Sequence, residues 1–289
     1  MQVSRYEAPE SLDAAVALLA RDGEACVLAG GTDLLVQVRT GRGAPSAFID
    51  IKRIPEMLRL EIDSSGLHIG AAVPAATIYA NDTIRQLWPG VAEATDMIGS
   101  SQIQGRATWS GNLCNASPAA DAVPALIAVG AEVVVFGPGG ERTLPVDGFV
   151  TGPGQSVLQP GELVVAFHLP APVPRSSDAY LRLIPRTEMD IAVVGAAVQL
   201  SLDSAGSVGS ARVVLAAVAP TQLRVEAAEN ALVGSKLEEA ALTAAASAAS
   251  DAANPIDDKR GTIAYRKKVT GVLTKRAARI AYDRAKERS

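Results

Sequence analysis

Apolar positions recur at helical spacing almost from the start of the chain. Leu12, Ala15, Val16, Leu18 and Leu19 share one face, and Ser11 stands where a hydroxyl can cap the helix. The short run 25–28 predicts a strand ending at a glycine pair, and 33–39 predicts a helix. Residues 47–51 and 66–71 predict strands with turns around them, and 84–98 has helical spacing. A short helix is expected over 122–128. The run 131–136, closed by Gly137-Pro138-Gly139-Gly140, is the clearest strand and turn, and 163–169 predicts another strand. Farther on, 191–202 and 211–218 are long strand-like apolar runs, followed by alanine-rich helical segments over 221–232 and 237–253. The final helix, 265–286, places Val269, Val272, Leu273, Ala277, Ile280 and Ala281 on one face. Its basic residues Arg266, Lys267, Lys268, Lys275, Arg276 and Arg279 lie mainly elsewhere. A solvated face is the ordinary reading of that charge, and a docking surface for an acidic partner is the alternative.

The stretch 170–175 is proline-rich, stiff and poor in backbone donors, so it predicts a junction between domains at 1–172 and 176–286. A length of 289 residues leaves room for two such cores. With 48% hydrophobic and 20% charged residues, the chain is globular in composition. A formal charge of −4 argues against nucleic acid as a principal partner, and 4% aromatic residues leave few stacking platforms. No apolar run approaches the length of about twenty residues that spans a bilayer. The opening Met1-Gln2-Val3-Ser4-Arg5-Tyr6-Glu7-Ala8-Pro9 has no apolar signal core, which predicts a cytoplasmic protein.

Cysteine and histidine counts exclude more chemistry than they suggest. Cys26 and Cys114 cannot by themselves supply the four thiolates of an ordinary iron–sulfur cluster. His68 and His168 are far apart in the chain and read as strand residues in packing or surface roles, so no protein-built zinc site is expected. Redox chemistry here would need a bound organic cofactor. Two glycine-bearing segments suit one. Val27-Leu28-Ala29-Gly30-Gly31-Thr32-Asp33-Leu34 and 104–121 each join a turn to small hydroxyl or amide side chains and close on a carboxylate. Such loops expose several backbone N–H groups, as a diphosphate requires, and leave amide and carboxylate groups for sugar hydroxyls. Taken singly, each piece has an ordinary reading. Asp33 could start a helix, Asn112 and Asn115 could be turn residues, and Asp190 could pair structurally with Arg186.

As an ordered set, these segments resemble the flavin-binding medium subunit of the molybdenum hydroxylases, the xanthine dehydrogenase and carbon monoxide dehydrogenase family. The resemblance covers almost the whole length. It runs from Ala29-Gly30-Gly31-Thr32-Asp33-Leu34 through 98–106 and the block 108–121 to Pro185-Arg186-Thr187-Glu188-Met189-Asp190-Ile191-Ala192, ending at Tyr265-Arg266. It implies an α+β fold: a two-part FAD-binding domain of the vanillyl-alcohol-oxidase (PCMH) type, followed by a smaller α/β C-terminal domain. It implies that Ala29, Gly30, Gly31, Thr32, Asp33 and Leu34 form the first diphosphate loop, and that Thr108, Ser110, Gly111 and Asn112 form the second. Ile98 belongs to the same set. Asp121 matches a carboxylate near the adenosine or ribityl hydroxyls, and Arg182 falls where some relatives carry a lysine close to the flavin ring. Arg186 and Asp190 match a polar pair that shapes the site at the domain junction.

One departure is Thr108-Trp109-Ser110-Gly111-Asn112, where relatives usually carry a glycine in place of Ser110. Its hydroxyl is expected to be tolerated and able to donate to phosphate, while Trp109 is expected to face the core. The function implied is an electron-transfer subunit with FAD on this chain and no catalytic or metal-binding residues of its own. Molybdopterin and [2Fe-2S] clusters would lie on a large and a small partner subunit, in a dimer of heterotrimers. An external acceptor such as NAD, a quinone or oxygen would take the electrons. Two other readings stand beside it: a stand-alone FAD-dependent oxidase, and a non-redox nucleotide-binding assembly module.

Overall fold

The computed structural model describes residues 5–288; the first four residues of the polar opening stretch lie outside the described residues, as does Ser289. The chain opens with β1 (Arg5–Glu7), α1 (Leu12–Arg21), β2 (Cys26–Leu28), α2 (Leu34–Arg39) and β3 (Ala47–Asp50). The strands pair in parallel in the order β1-β3-β2, and α1 and α2 supply the crossovers that parallel pairing needs. Ser11 caps α1, its hydroxyl accepting from Ala14 N at 3.3 Å.

Next come β4 (Leu60–Ile62) and β5 (Gly66–Gly70), then six short helices: α3 (Ala75–Tyr79), α4 (Asp82–Leu87), α5 (Pro89–Asp96), α6 (Ser101–Gln104), α7 (Trp109–Cys114) and α8 (Ala122–Ala128). The strands β6 (Glu132–Gly137), β7 (Gly140–Pro145), β8 (Val150–Gly152), β9 (Gln155–Ser156) and β10 (Leu163–Pro170) follow. An antiparallel sheet in the order β4-β5-β10-β6-β7 forms the second part of this region. The rest of the chain is β11 (Ser176–Leu183), β12 (Val194–Leu202), β13 (Val208–Ala216), β14 (Leu223–Arg224), α9 (Glu226–Leu232), α10 (Glu239–Ala252) and α11 (Ile263–Glu287). Its four strands are antiparallel in sequential order.

Several local expectations change. The helix expected over 84–98 is two helices, because Pro89 lacks an N–H and forces Trp88 out of helical geometry (φ −129°, ψ 65°). The segment expected to be helical over 221–232 begins instead as β14, which pairs with Val214 and Leu215. On α11, Val272 is exposed and Arg266 is buried, the reverse of the helical-wheel reading. Arg266 is drawn inside by acceptors: it ion-pairs with Asp258 at 2.6 Å and donates to Val193 O at 2.7 Å. His68 and His168, distant in sequence, are cross-strand partners whose rings stack with centroids 4.6 Å apart.

The sheet β11–β14 has two differently used faces, as the two-residue period of a strand dictates. Ala179, Val198 and Val213 belong to a core shared with α9, α10 and α11. On the opposite face the row Tyr180–Ala197–Val214 joins the core of the first region. Beyond that apolar row stand Arg182 on one side and the polar row Asp178–Gln199–Arg212 on the other. Helix α5 is fastened along β11 by hydrogen bonds from Val91 N to Asp178 Oδ2 (3.0 Å) and from Tyr180 N to Glu93 Oε2 (2.9 Å).

Candidate cofactor-binding cleft

The first glycine segment leaves β2 and enters α2. Gly31 has φ +77°, which favours glycine, and no acceptor among the described residues meets the N–H of Gly30, Gly31, Thr32 or Asp33. These four consecutive donors face an open cleft from half-buried or exposed residues, so they are left for solvent or a ligand. Asp33 occupies the cap position of α2 without a capping bond, and among the described residues no hydrogen bond or ion pair engages its carboxylate. Its surroundings strip water from it and raise its pKa, although its surface is open to the cleft. A partly buried network holds the loop from behind. Lys52 Nζ donates to Ala29 O at 2.7 Å and pairs with Asp50 at 2.6 Å, and Tyr6 donates to the other Asp50 oxygen at 2.6 Å.

The second segment is not an open loop but the N-terminal turn of α7. Thr108 caps it, accepting from Gly111 N at 3.0 Å. Ser110 Oγ lies 2.6 Å from Ala71 O and 3.1 Å from Thr108 Oγ1. A carbonyl can only accept, so Ser110 gives its hydrogen to Ala71 and Thr108 donates to Ser110. The expected phosphate-donating role of Ser110 is therefore replaced by a structural one. Asn112 Oδ1 accepts from Ala122 N at 3.1 Å and so caps α8, leaving its amide nitrogen for the cleft. Trp109 turns into the core, donating to Thr95 Oγ1 at 2.9 Å.

The two segments meet. A methyl on Gly30 would fall 1.9 Å from Arg106 O and 3.1 Å from Ala107 Cα. Gln37, on α2, adds a bond of 2.8 Å from its side-chain amide to Asn115 Oδ1 at the end of α7. Together they line a cleft of about 1130 Å³. Ala29, Gly30, Gly31, Thr32, Asp33, Leu34, Ile98, Thr108, Ser110, Gly111, Asn112 and Asp121 all reach its wall. From the C-terminal region come Arg186, Met189, Asp190, Ile191 and Arg260. Asp190 bridges Arg260 (3.1 Å) and Arg186 (3.3 Å), whose charges and hydrogen bonds hold its carboxyl below the usual range.

Arg182 is the exception, standing behind the wall. Its guanidinium donates to Asp121 Oδ2 and to Met97 O, both at 2.7 Å, while Tyr180 donates to Asp121 Oδ1 at 3.1 Å. Burial outweighs these attractions and pushes the Asp121 carboxyl up to about 6. Both cysteines line the cleft. Burial keeps the thiols protonated, raising Cys114 to about 12, although its surface opens onto the cleft. Sequence reasoning missed Lys52, Gln37 and Arg260, and gave Asn115, inside the second segment, no bonding partner. No local motif marks them; they act on backbone or side chains far away in sequence.

Comparison with known proteins decides the family. The model for the FAD binding domain in molybdopterin dehydrogenase matches residues 2–172, and that for the CO dehydrogenase flavoprotein C-terminal domain matches 179–281. The chain belongs to the molybdopterin-dehydrogenase FAD-binding family. It is 35% identical to the carbon monoxide dehydrogenase medium chain of Hydrogenophaga pseudoflava over 280 residues, 96% of this chain and 97% of that one. It is 29% identical to a putative xanthine dehydrogenase FAD-binding subunit of Escherichia coli K12 over 273 residues, 94% of this chain and 93% of its relative. A solved structure of carbon monoxide dehydrogenase from Hydrogenophaga pseudoflava superposes with a TM-score of 0.93 at 36% identity, covering 97% of this chain and 98% of that one.

The cleft of this family member fits FAD on its own chemistry. The unpaired N–H groups of 30–33 suit the pyrophosphate, and the close backbone approach at Gly30 leaves no room for a side chain between the two segments. At about 1130 Å³ the cavity is larger than most small-molecule pockets and leaves room for an extended ligand. Among the described residues, no cluster of three or more His, Cys, Asp or Glu side chains could hold a metal ion. No helix among them is long and apolar enough to cross a membrane.

Proposed function

We propose that this chain is the FAD-binding electron-transfer subunit of a molybdenum-containing hydroxylase, organised as a flavin domain at 1–172 and a C-terminal domain at 176–286. In this reading it takes electrons from iron–sulfur clusters on a small partner subunit, which drains a molybdopterin centre on a large one, within a dimer of heterotrimers. It delivers them to an external acceptor such as NAD, a quinone or oxygen. Bound FAD supplies the redox chemistry, joining one-electron partners to two-electron ones.

The observation that carries the reading is the row of unpaired donors at 30–33, held against the backbone of 106–107 in one cleft. Gly30, Gly31, Thr32 and Asp33 would hold the pyrophosphate through main-chain N–H groups, with Ala29 and Leu34 as the loop's shoulders. Gly111, Thr108 and Ser110 would contribute shape rather than donors, since the Gly111 N–H and both hydroxyl hydrogens already have acceptors. The Asn112 amide nitrogen and Asp121 would face sugar hydroxyls. Ile98 would pack against the flavin, Asp190 would face the site from the junction, and Arg182 would act through Asp121 as a positioning residue. Asp33, unpaired and desolvated, is best placed to accept from a cofactor hydroxyl or ring N–H, because an ionised carboxylate repels phosphate.

The chain purified with FAD should be yellow, with one flavin per polypeptide, and should turn over no organic substrate until both partner chains are added. Protein that stays colourless and refuses added FAD would end this reading. Turnover by the isolated chain would favour the stand-alone oxidase.

A further inference from the structure

A second cavity, of about 410 Å³, shares no lining residue with the first cleft. Its floor is the polar row Asp178–Gln199–Arg212, three side chains at directly opposed positions on β11, β12 and β13. Such neighbours have Cβ atoms roughly 5 Å apart, so their polar ends can converge on one small group. Its walls include Trp88, Val129 and the proline-rich connection between β10 and β11, together with Ser176, Ser177 and Ser210.

Three guanidinium groups reach this cavity, and two are already occupied. Arg224 is held by both oxygens of Glu229 at 2.9 Å. Arg288 donates to Leu87 O and Ser176 O, each at 3.0 Å, and to Gln86 O. Arg212 has no hydrogen bond and no ion pair among the described residues. It lies against the backbone of Gly130, where a methyl would fall 2.1 Å from its Nη1. Gln199 likewise has no side-chain partner. A half-buried arginine beside an unpaired amide, in a cavity lined by three cations and one acid, selects for an anion with several acceptor oxygens.

We propose that this cavity is an oxyanion site, with Arg212 and Gln199 as its ligand groups and phosphate or sulfate, free or carried on a small molecule, as its occupant. Asp178 does not oppose this. One of its oxygens accepts from Val91 N, and burial lifts its carboxyl to about 7, so near neutrality much of it is uncharged and able to donate. Its charged neighbours are Glu93, Arg284 and Arg288. The site is independent of the flavin reading, as none of its residues lines the first cleft.

The test uses the full chain saturated with FAD, titrated with inorganic phosphate and, separately, AMP by calorimetry, with ionic strength held constant by KCl. Saturable binding is expected in the parent, at least tenfold weaker in Arg212→Gln and in Gln199→Leu. Tighter binding of AMP would assign the site to phosphate esters, and tighter binding of inorganic phosphate to the free ion. Thermal melting in KCl alone checks that each variant folds; if Arg212→Gln does not, Gln199→Leu carries the comparison. Absence of saturable binding, or binding unchanged in the folded variants, overturns the proposal. Should the chain refuse FAD, phosphate could also enter the first cleft, but neither substitution touches that cleft, so the parent-to-variant difference still reports this site.

Discussion

Gly30 and Arg106 meet backbone to backbone: a methyl on the first would lie 1.9 Å from the carbonyl oxygen of the second. No rotamer relieves such a contact, because the neighbour is main chain. The two glycine segments are therefore a single structure, and the absence of a side chain at residue 30 is what allows them to close.

Gly30→Ala should separate them. The expected result is a folded protein that binds FAD at least about tenfold more weakly, a loss worth roughly 1.4 kcal/mol or more. Flavin absorbance per polypeptide after gel filtration, with circular dichroism as the check on folding, reads it. Stoichiometric flavin in a folded Gly30→Ala protein would show that the cleft does not depend on this contact.

Lys52 acts one step farther back, on the carbonyl of Ala29 (2.7 Å). Since the peptide is planar, pinning that oxygen also fixes the direction of the Gly30 N–H. Lys52→Met removes a charge-assisted bond worth about 1.5–3 kcal/mol. Lower FAD affinity with only a modest fall in melting temperature is expected. A large fall in melting temperature with unchanged affinity would make Lys52 a purely structural residue.

Ser110 should behave in the opposite way. Ser110→Ala leaves Ala71 O without this donor and should cost about 1–2 kcal/mol in urea unfolding, while FAD affinity stays within about twofold. Collapse of affinity at unchanged stability would return the hydroxyl to the cofactor.

The buried acids set the pH dependence. Burial raises Asp178 to about 7 and Asp121 to about 6, so the folded chain holds protons that the unfolded chain has released from about pH 4 upward. Stability should therefore fall as pH rises from 5 to 8, by up to about 3 kcal/mol from Asp178. The carboxyls held low, such as Asp50 and Asp190, are ionised in both states over that range and add no slope. Asp178→Asn should remove the larger part of the dependence in urea midpoints measured at pH 5 and pH 8, leaving the smaller share from Asp121. An unchanged slope would refute the assignment.

Much of the architecture was legible because its signals are local. The Ser11 cap, the strand ending in Gly137-Pro138-Gly139-Gly140 and the order of the two glycine segments each involve neighbours in sequence. Misreadings came where tertiary contacts overrule periodicity. Arg266 is buried on a helix face that a wheel assigns to water, because Asp258 and the carbonyl of Val193 await it there. Arg182 carries the charge expected near a flavin but turns to Asp121, which the fold has already stripped of water.

By itself the sequence determined which groups could do chemistry: too few thiols for a cluster, two loops rich in main-chain donors, and the residues that tie them to a flavoprotein family. Tertiary structure alone decided which donors stay unpaired. Gly111 N–H is spent on Thr108 while the N–H groups of 30–33 have no acceptor among the described residues, and both outcomes depend on where other segments place their oxygens. A hydrogen bond joins positions in space, and those are fixed only when the chain has closed on itself.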